Sequence, residues 1–101
     1  MKTSKHLTEK SVTWDERKNR SNKAKHKISF EEAVTVFYDP LSLTVNDPEH
    51  SVDETRLHII GESDRRRLIL VTFTESQKEI RIISAQKPTR RERKQYEENE
   101  S

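Results

Sequence analysis

The sequence predicts a small α+β domain with two N-terminal helices, a four-stranded antiparallel meander and a C-terminal helix. Three observations lead there. Residues 68–73 and 80–83 are apolar runs rich in β-branched side chains, and the polar stretch Glu75-Ser76-Gln77-Lys78 between them marks a hairpin. Phe30, Ala33, Val34 and Phe37 recur at i, i+3, i+4 and i+7, the apolar stripe of a helix. Three Ser/Thr-x-x-Glu boxes, beginning at Thr13, Ser29 and Thr89, mark helix starts.

The first box opens a helix over 14–26. Its apolar residues are Trp14 and Ala24, so it reads as a surface helix held by Trp14 and by its lysine stems. Its cationic last turn suits the negative end of the helix dipole. The second box, Ser29-Phe30-Glu31-Glu32, follows Ile28 as a staple residue and makes both glutamates capping candidates. Pro40 stops this helix near Asp39, because the residue before a proline avoids helical geometry. Leu41, Leu43 and Val45 alternate with polar residues, giving a strand with one wet face, and a polar turn follows over 46–50. The next strand, 55–60, puts Leu57 and Ile59 on one face and Arg56, His58 and Ile60 on the other. Gly61, the single glycine, is placed with Glu62-Ser63-Asp64 in the turn to the hairpin.

Both hairpin runs are apolar at consecutive positions, so both faces of the sheet are expected to be covered there. Strand alternation puts Arg81 with Glu79, Ile83 and Ala85, opposite Ile80, Ile82 and Ser84. Arg81 is either an edge residue whose head reaches water or a working cation. The third box opens a helix over 90–98, with Tyr96 as its main apolar contact. Residues 1–12 read as a flexible basic tail, 13–98 as one domain and 99–101 as a disordered end.

With 29% hydrophobic and 38% charged residues among 101, the core is thin for the length. The absence of cysteine excludes disulfides and thiolate metal sites. No apolar run approaches the roughly 20 residues that cross a membrane, and the basic N-terminus lacks the apolar core of a signal peptide. A net charge of +2 hides segregation: 31–55 holds no Lys or Arg, while 10–27 and 56–94 are rich in both. One glycine leaves no glycine-rich phosphate loop, and no nucleophile elbow or HExxH is present. His50 with Asp47, Glu49 and Asp53 reads as a solvated acidic loop rather than a metal site. Cationic chemistry remains. RNA cleavage by the neighbouring 2′-hydroxyl needs no metal, only proton transfer and neutralisation of charge on phosphorus. Arginine suits the second task, and lysine, histidine or glutamate the first.

The stretches WDERKNRSNKAKHKISFEEAVTVFYDPLSL, DETRLHIIG, RLILVTFTE and IRIISAQKPTRRERKQYEE, in that order, resemble the BrnT family of type II toxins over about residues 12–98. The resemblance implies a fold similar to RelE-type ribonucleases, a metal-independent, cofactor-free endoribonuclease in the cytoplasm, and a BrnA-type ribbon-helix-helix antitoxin. The toxin would meet operator DNA only through that antitoxin, as a monomer alone and as two copies in the complex. The family's motifs fall on 25–33, on Glu54 and Arg56, on Arg67, on 80–85, and on Glu92, Arg93 and Tyr96. Arg81 and Arg67 are the expected phosphate cations, and Lys25, His26 and Glu54 the proton-transfer candidates. Arg56, Lys87, Arg90, Arg91, Glu92, Arg93 and Tyr96 are the expected RNA contacts. The chain departs from the family with Lys27 for a glycine, Gln86 for an arginine, and weak support for a strand before Trp14. The alternative is a non-catalytic module acting with the antitoxin in repression.

Overall fold

The structure, a computed structural model, describes residues 10–46 and 56–99. The elements are β1 (Ser11–Thr13), α1 (Glu16–His26), α2 (Phe30–Thr35), a 3-10 turn (Val36–Tyr38), β2 (Leu43–Asn46), β3 (Arg56–Glu62), β4 (Leu68–Glu75), β5 (Glu79–Gln86) and α3 (Arg90–Asn99). Strands lie in the order β1-β5-β4-β3-β2, with β1 parallel to β5 and all other pairs antiparallel. The expected meander is β2 to β5. The expected four-stranded antiparallel sheet is corrected to five strands and a mixed sheet.

The added strand depends on tertiary partners that no local pattern announces. Ser11 N donates to Lys78 O at 3.0 Å, and Lys10 Nζ meets Glu75 at 2.6 Å. The Thr13 hydroxyl, expected as a helix cap, instead donates to Glu79 at 3.0 Å. Lys10, Ser11 and Val12, placed in the tail by sequence, therefore belong to the folded domain. With Thr13 in the strand, Asp15 caps α1, its carboxylate accepting from Arg17 N at 2.8 Å.

Helix α1 docks by polar groups. Asn22 donates to Ile28 O at 2.9 Å and Ala85 O at 2.8 Å, and accepts from Ala85 N at 3.1 Å. It thus pairs the β5 edge where β1 has ended, in place of a strand residue. Asn19 accepts from Phe30 N at 2.8 Å and donates to Glu31 at 3.0 Å, tying α1 to α2. Lys27 closes α1 in the left-handed conformation (φ 63°), so the conformation that glycine favours is kept by a lysine.

One sheet face packs Ile59, Ile69, Val71, Phe73, Ile80, Ile82 and Ala85 against Phe30, Ala33, Val36 and Phe37. Phe37 meets Phe73 edge to face at 4.9 Å. Val36 joins this contact because α2 tightens into the 3-10 turn, which shifts the stripe by one residue. A register shift opposite Thr72 and Phe73 leaves Ile83 as an extra residue in β5. Ile82 pairs Phe73 and Ala85 pairs Val71, so Ala85 shares the face of Ile80 and Ile82. The expected grouping of Arg81 with Ala85 is corrected accordingly. Gly61 lies within β3 at negative φ rather than in the turn. A Cβ there would meet Val36 Cγ1 at 2.8 Å, so close packing, not turning, requires the glycine. The turn itself uses Arg66 in the left-handed conformation (φ 62°), between Ser63 and Arg67.

Candidate functional site

The second sheet face is built by the register. Arg56, Thr74 and Arg81 lie side by side across β3, β4 and β5, and His58, Thr72 and Ser84 form the next row. The row after that is Ile60, Leu70 and Gln86. Helix α3 covers only this last part, where Tyr96 packs on Ile60, Leu70 and Leu68. In the other two rows Arg81 is exposed, Arg56, Thr74, His58 and Ser84 are half-buried and Thr72 is buried, and the middle positions are threonines. Arg56 and Arg81 are two strand spacings apart, about 10 Å between backbones. Arg81 is exposed and, among the described residues, carries neither a hydrogen bond nor an ion pair. Such a pair of cations over a short hydroxyl-bearing floor can hold the non-bridging oxygens of a phosphodiester.

Across α3 lies a cleft of about 470 Å³, lined in part by Arg66, Arg67, Lys87 and Arg93 with Glu62 and Glu97. Arg67 does not offer its fork there. Its Nε donates to Glu32 at 3.0 Å, and its Nη2 donates both to the other Glu32 oxygen and to Lys27 O at 3.0 Å. Ser63 Oγ donates to Glu32 at 2.7 Å, and Arg65 stands 3.7 Å away. Burial alone raises the Glu32 pKa, but the Arg67 and Ser63 hydrogen bonds and the two arginine charges outweigh it and hold it below the usual value. Glu32 N donates to Ser29 Oγ at 3.1 Å, the expected cap, yet the Glu32 carboxylate belongs to Arg67 rather than to the helix start. Arg67, expected as a phosphate cation, ties α2 to the β3–β4 turn in this structure.

Tyr96 is buried, and its hydroxyl donates to Asp39 Oδ2 at 2.6 Å, so no ring face is offered for base stacking. Glu92 accepts from Thr89 N at 2.7 Å while its own N–H donates to Thr89 Oγ1, completing the expected capping box. Both residues expected to touch RNA therefore hold α3. Arg90, Arg91, Arg93 and Lys87 are exposed around the helix start. Lys25 and His26 occupy the last turn of α1, attached to the β5 edge near Ala85, and do not share the open face with Arg81. Glu54 lies outside the described residues, as does the acidic loop with His50.

Sequence reasoning passed over Asn19, Asn22 and Asp39. Asp39 accepts from Leu41 N, Glu62 N and the Tyr96 hydroxyl, linking the end of the 3-10 turn to β3 and α3. The signal for the asparagines was present: a helix without an apolar stripe that carries two asparagines at i, i+3. His58 was placed on the correct face but given no task.

The family described as "Ribonuclease toxin, BrnT, of type II toxin-antitoxin system" matches residues 14–92. The crystal structure of the Brucella abortus ribonuclease toxin BrnT is similar, with a TM-score of 0.55 and 25% identity, covering 80% of this chain and 99% of that one. No curated protein matches the chain. A match over most of the chain, on a three-helix, mixed-sheet fold similar to that of a solved member, places this protein in the BrnT family of ribonuclease toxins of type II toxin–antitoxin systems.

Proposed function

We propose that this chain is a metal-independent endoribonuclease whose working surface is the open sheet face, and that it arrests growth by cleaving RNA in the cytoplasm. The observation that carries this is the row Arg56–Thr74–Arg81, two cations flanking a short polar floor beside an α3 flank rich in arginine. The RNA supplies its own nucleophile, the 2′-hydroxyl, so the protein has only to orient the backbone, neutralise phosphorane charge and move protons. Lys87, Arg90, Arg91 and Arg93 extend the cationic surface along the strand's path. A BrnA-like antitoxin covers this face, bringing two toxins into one complex and linking them to operator DNA.

Expression without the antitoxin tests the reading. Wild type stops growth, and Arg81→Ala, expressed to the same level, does not. The purified protein cleaves RNA equally with and without chelator. Harmlessness of a folded wild type sinks the proposal. One observation favours the second reading, a binding module without turnover: Gln86, in the row beside Ser84 and His58, stands where the family pattern has an arginine. Loss of one charge-assisted phosphate contact slows turnover by about a hundredfold. RNA cleavage by the pure protein separates the two.

A further inference from the structure

We propose that the cleft beside α3 is a subsite for one nucleotide of the RNA, away from the scissile phosphate and selective for a base that carries an amino group, a proposal that rests on the ribonuclease reading above. The strand register fixes where the cleft lies. Glu62 and Leu68, both in its lining, pair in the row that follows Ile60, Leu70 and Gln86. They therefore share the face of Arg56 and Arg81, at the other end of the sheet. Glu62 lies six residues beyond Arg56 on β3, about 20 Å. One RNA strand can hold its scissile phosphate at the arginine row and set a nucleotide a few units away into the cleft.

The lining decides what fits. The cleft encloses about 470 Å³, within the range of roughly 300–1,000 Å³ that takes a small ligand. Arg67 is held by Glu32, so Arg66, Lys87 and Arg93 supply the positive charge. All three are exposed, and among the described residues their side chains carry neither a hydrogen bond nor an ion pair. Arg66 keeps a left-handed backbone (φ 62°), so the turn presents a guanidinium at a position whose backbone alone favours glycine.

Glu62 and Glu97 line the same cleft, and among the described residues their carboxylates are likewise unpaired. Two carboxylates beside three cations disfavour a bare anion or an acidic peptide. They suit a ligand that brings a phosphate for the cations and N–H donors for the carboxylates, which only accept. Half-buried Leu68 adds an apolar surface for a flat base. A nucleotide of adenine, cytosine or guanine has all three parts, whereas uracil lacks the amino group. The α3 wall is fixed, because the Tyr96 hydroxyl donates to Asp39 at 2.6 Å.

The test titrates the methyl-labelled full chain with GMP, UMP, guanosine and inorganic phosphate, following the Leu68 methyl resonances. GMP moves them, and binds at least about threefold more tightly than UMP and about tenfold more tightly than guanosine or phosphate alone. Arg66→Gly, which suits the left-handed turn, and Arg93→Gln each weaken GMP by about threefold to tenfold. Leu68 methyls that ignore GMP, or phosphate or UMP binding as tightly as GMP, overturn the subsite. So do two folded variants that both bind GMP like wild type. RNA cleavage is read separately on the same preparation. A wild type that cuts RNA while its cleft ignores GMP overturns this proposal alone. A wild type that binds GMP in the cleft but never cuts RNA overturns the ribonuclease reading, and with it the assignment of the bound nucleotide to a substrate strand.

Discussion

At the residue scale the Glu32–Arg67 pair decides how the protein responds to acid. Glu32 is almost fully buried (4% of its side chain exposed), whereas Arg67 keeps a third of its side chain in water. Removing either partner therefore has unequal consequences. Arg67→Ala strands a buried carboxylate with only Ser63 and a distant Arg65, a loss of about 4 kcal/mol, while Glu32→Gln leaves a guanidinium that still reaches solvent, a loss of about 2 kcal/mol. Urea denaturation at neutral pH reads both, and equal losses contradict the asymmetry. The pH dependence has a definite sign. The Glu32 pKa is lowered by folding from its ordinary 4.5, so its contribution is complete above that value and is lost as pH falls through the folded value. Asn19 lowers Glu31, and the Arg17 backbone amide lowers Asp15, in the same direction. Wild type should thus lose stability on acidification only below about pH 4.5, and Arg67→Ala, whose Glu32 no longer has its main partner, should begin to lose it at higher pH.

At the scale of elements, the helix that the sequence describes least well is the one whose docking is most specific. Asn22 satisfies three backbone groups, and Asn22→Ala leaves Ala85 N, Ala85 O and Ile28 O without that partner, at a cost of about 3 kcal/mol. Chemical denaturation measures it, and a loss below about 1 kcal/mol would mean that water replaces the side chain. The hairpin, the strand β3 and the stripe of α2 were legible because burial repeats with the period of the element, two for a strand and near four for a helix. Thr89 and Ser29 were legible because a capping box is local. Thr13 shows the limit, since its box competes with an edge strand whose partner, Glu79, is distant in sequence. The Ile83 bulge and Gly61 were hidden for the same reason: each is set by what lies opposite, Thr72 and Phe73 in one case and Val36 in the other. In the candidate site, Arg56 was singled out by the family motif and Arg81 by its charge among isoleucines, and the strand register sets the two in one row. The pairing of Arg67 with Glu32 was not legible, because the buried carboxylate comes from another element.

At the scale of the whole molecule, the two sides of the sheet differ in what they offer a partner. The side covered by α1 and α2 is closed by the main core. The other carries Arg56 and Arg81 on the open rows and Lys87, Arg90, Arg91 and Arg93 around the start of α3, the last four exposed. An antitoxin that silences this surface meets it first through long-range charge, so the association rate carries the electrostatic contribution and the dissociation rate carries close packing. Arg90 and Arg91 are exposed at the start of α3, and reversing them changes the approaching field while leaving α3's anchor at Tyr96 in place. We expect Arg90→Glu and Arg91→Glu each to slow association by about threefold to tenfold at low salt, with dissociation nearly unchanged, and moderate salt to slow wild type toward the variants. Stopped-flow mixing with the purified antitoxin at two salt concentrations reads this directly. The competing dock is apolar: Tyr38 and Leu41 are exposed by 47% and 41% beside Pro40, whereas Phe37 is fully buried and has nothing to give a partner. An on-rate indifferent to salt and to both reversals, together with a faster dissociation in Tyr38→Ala, would move the antitoxin from the arginine surface to that patch.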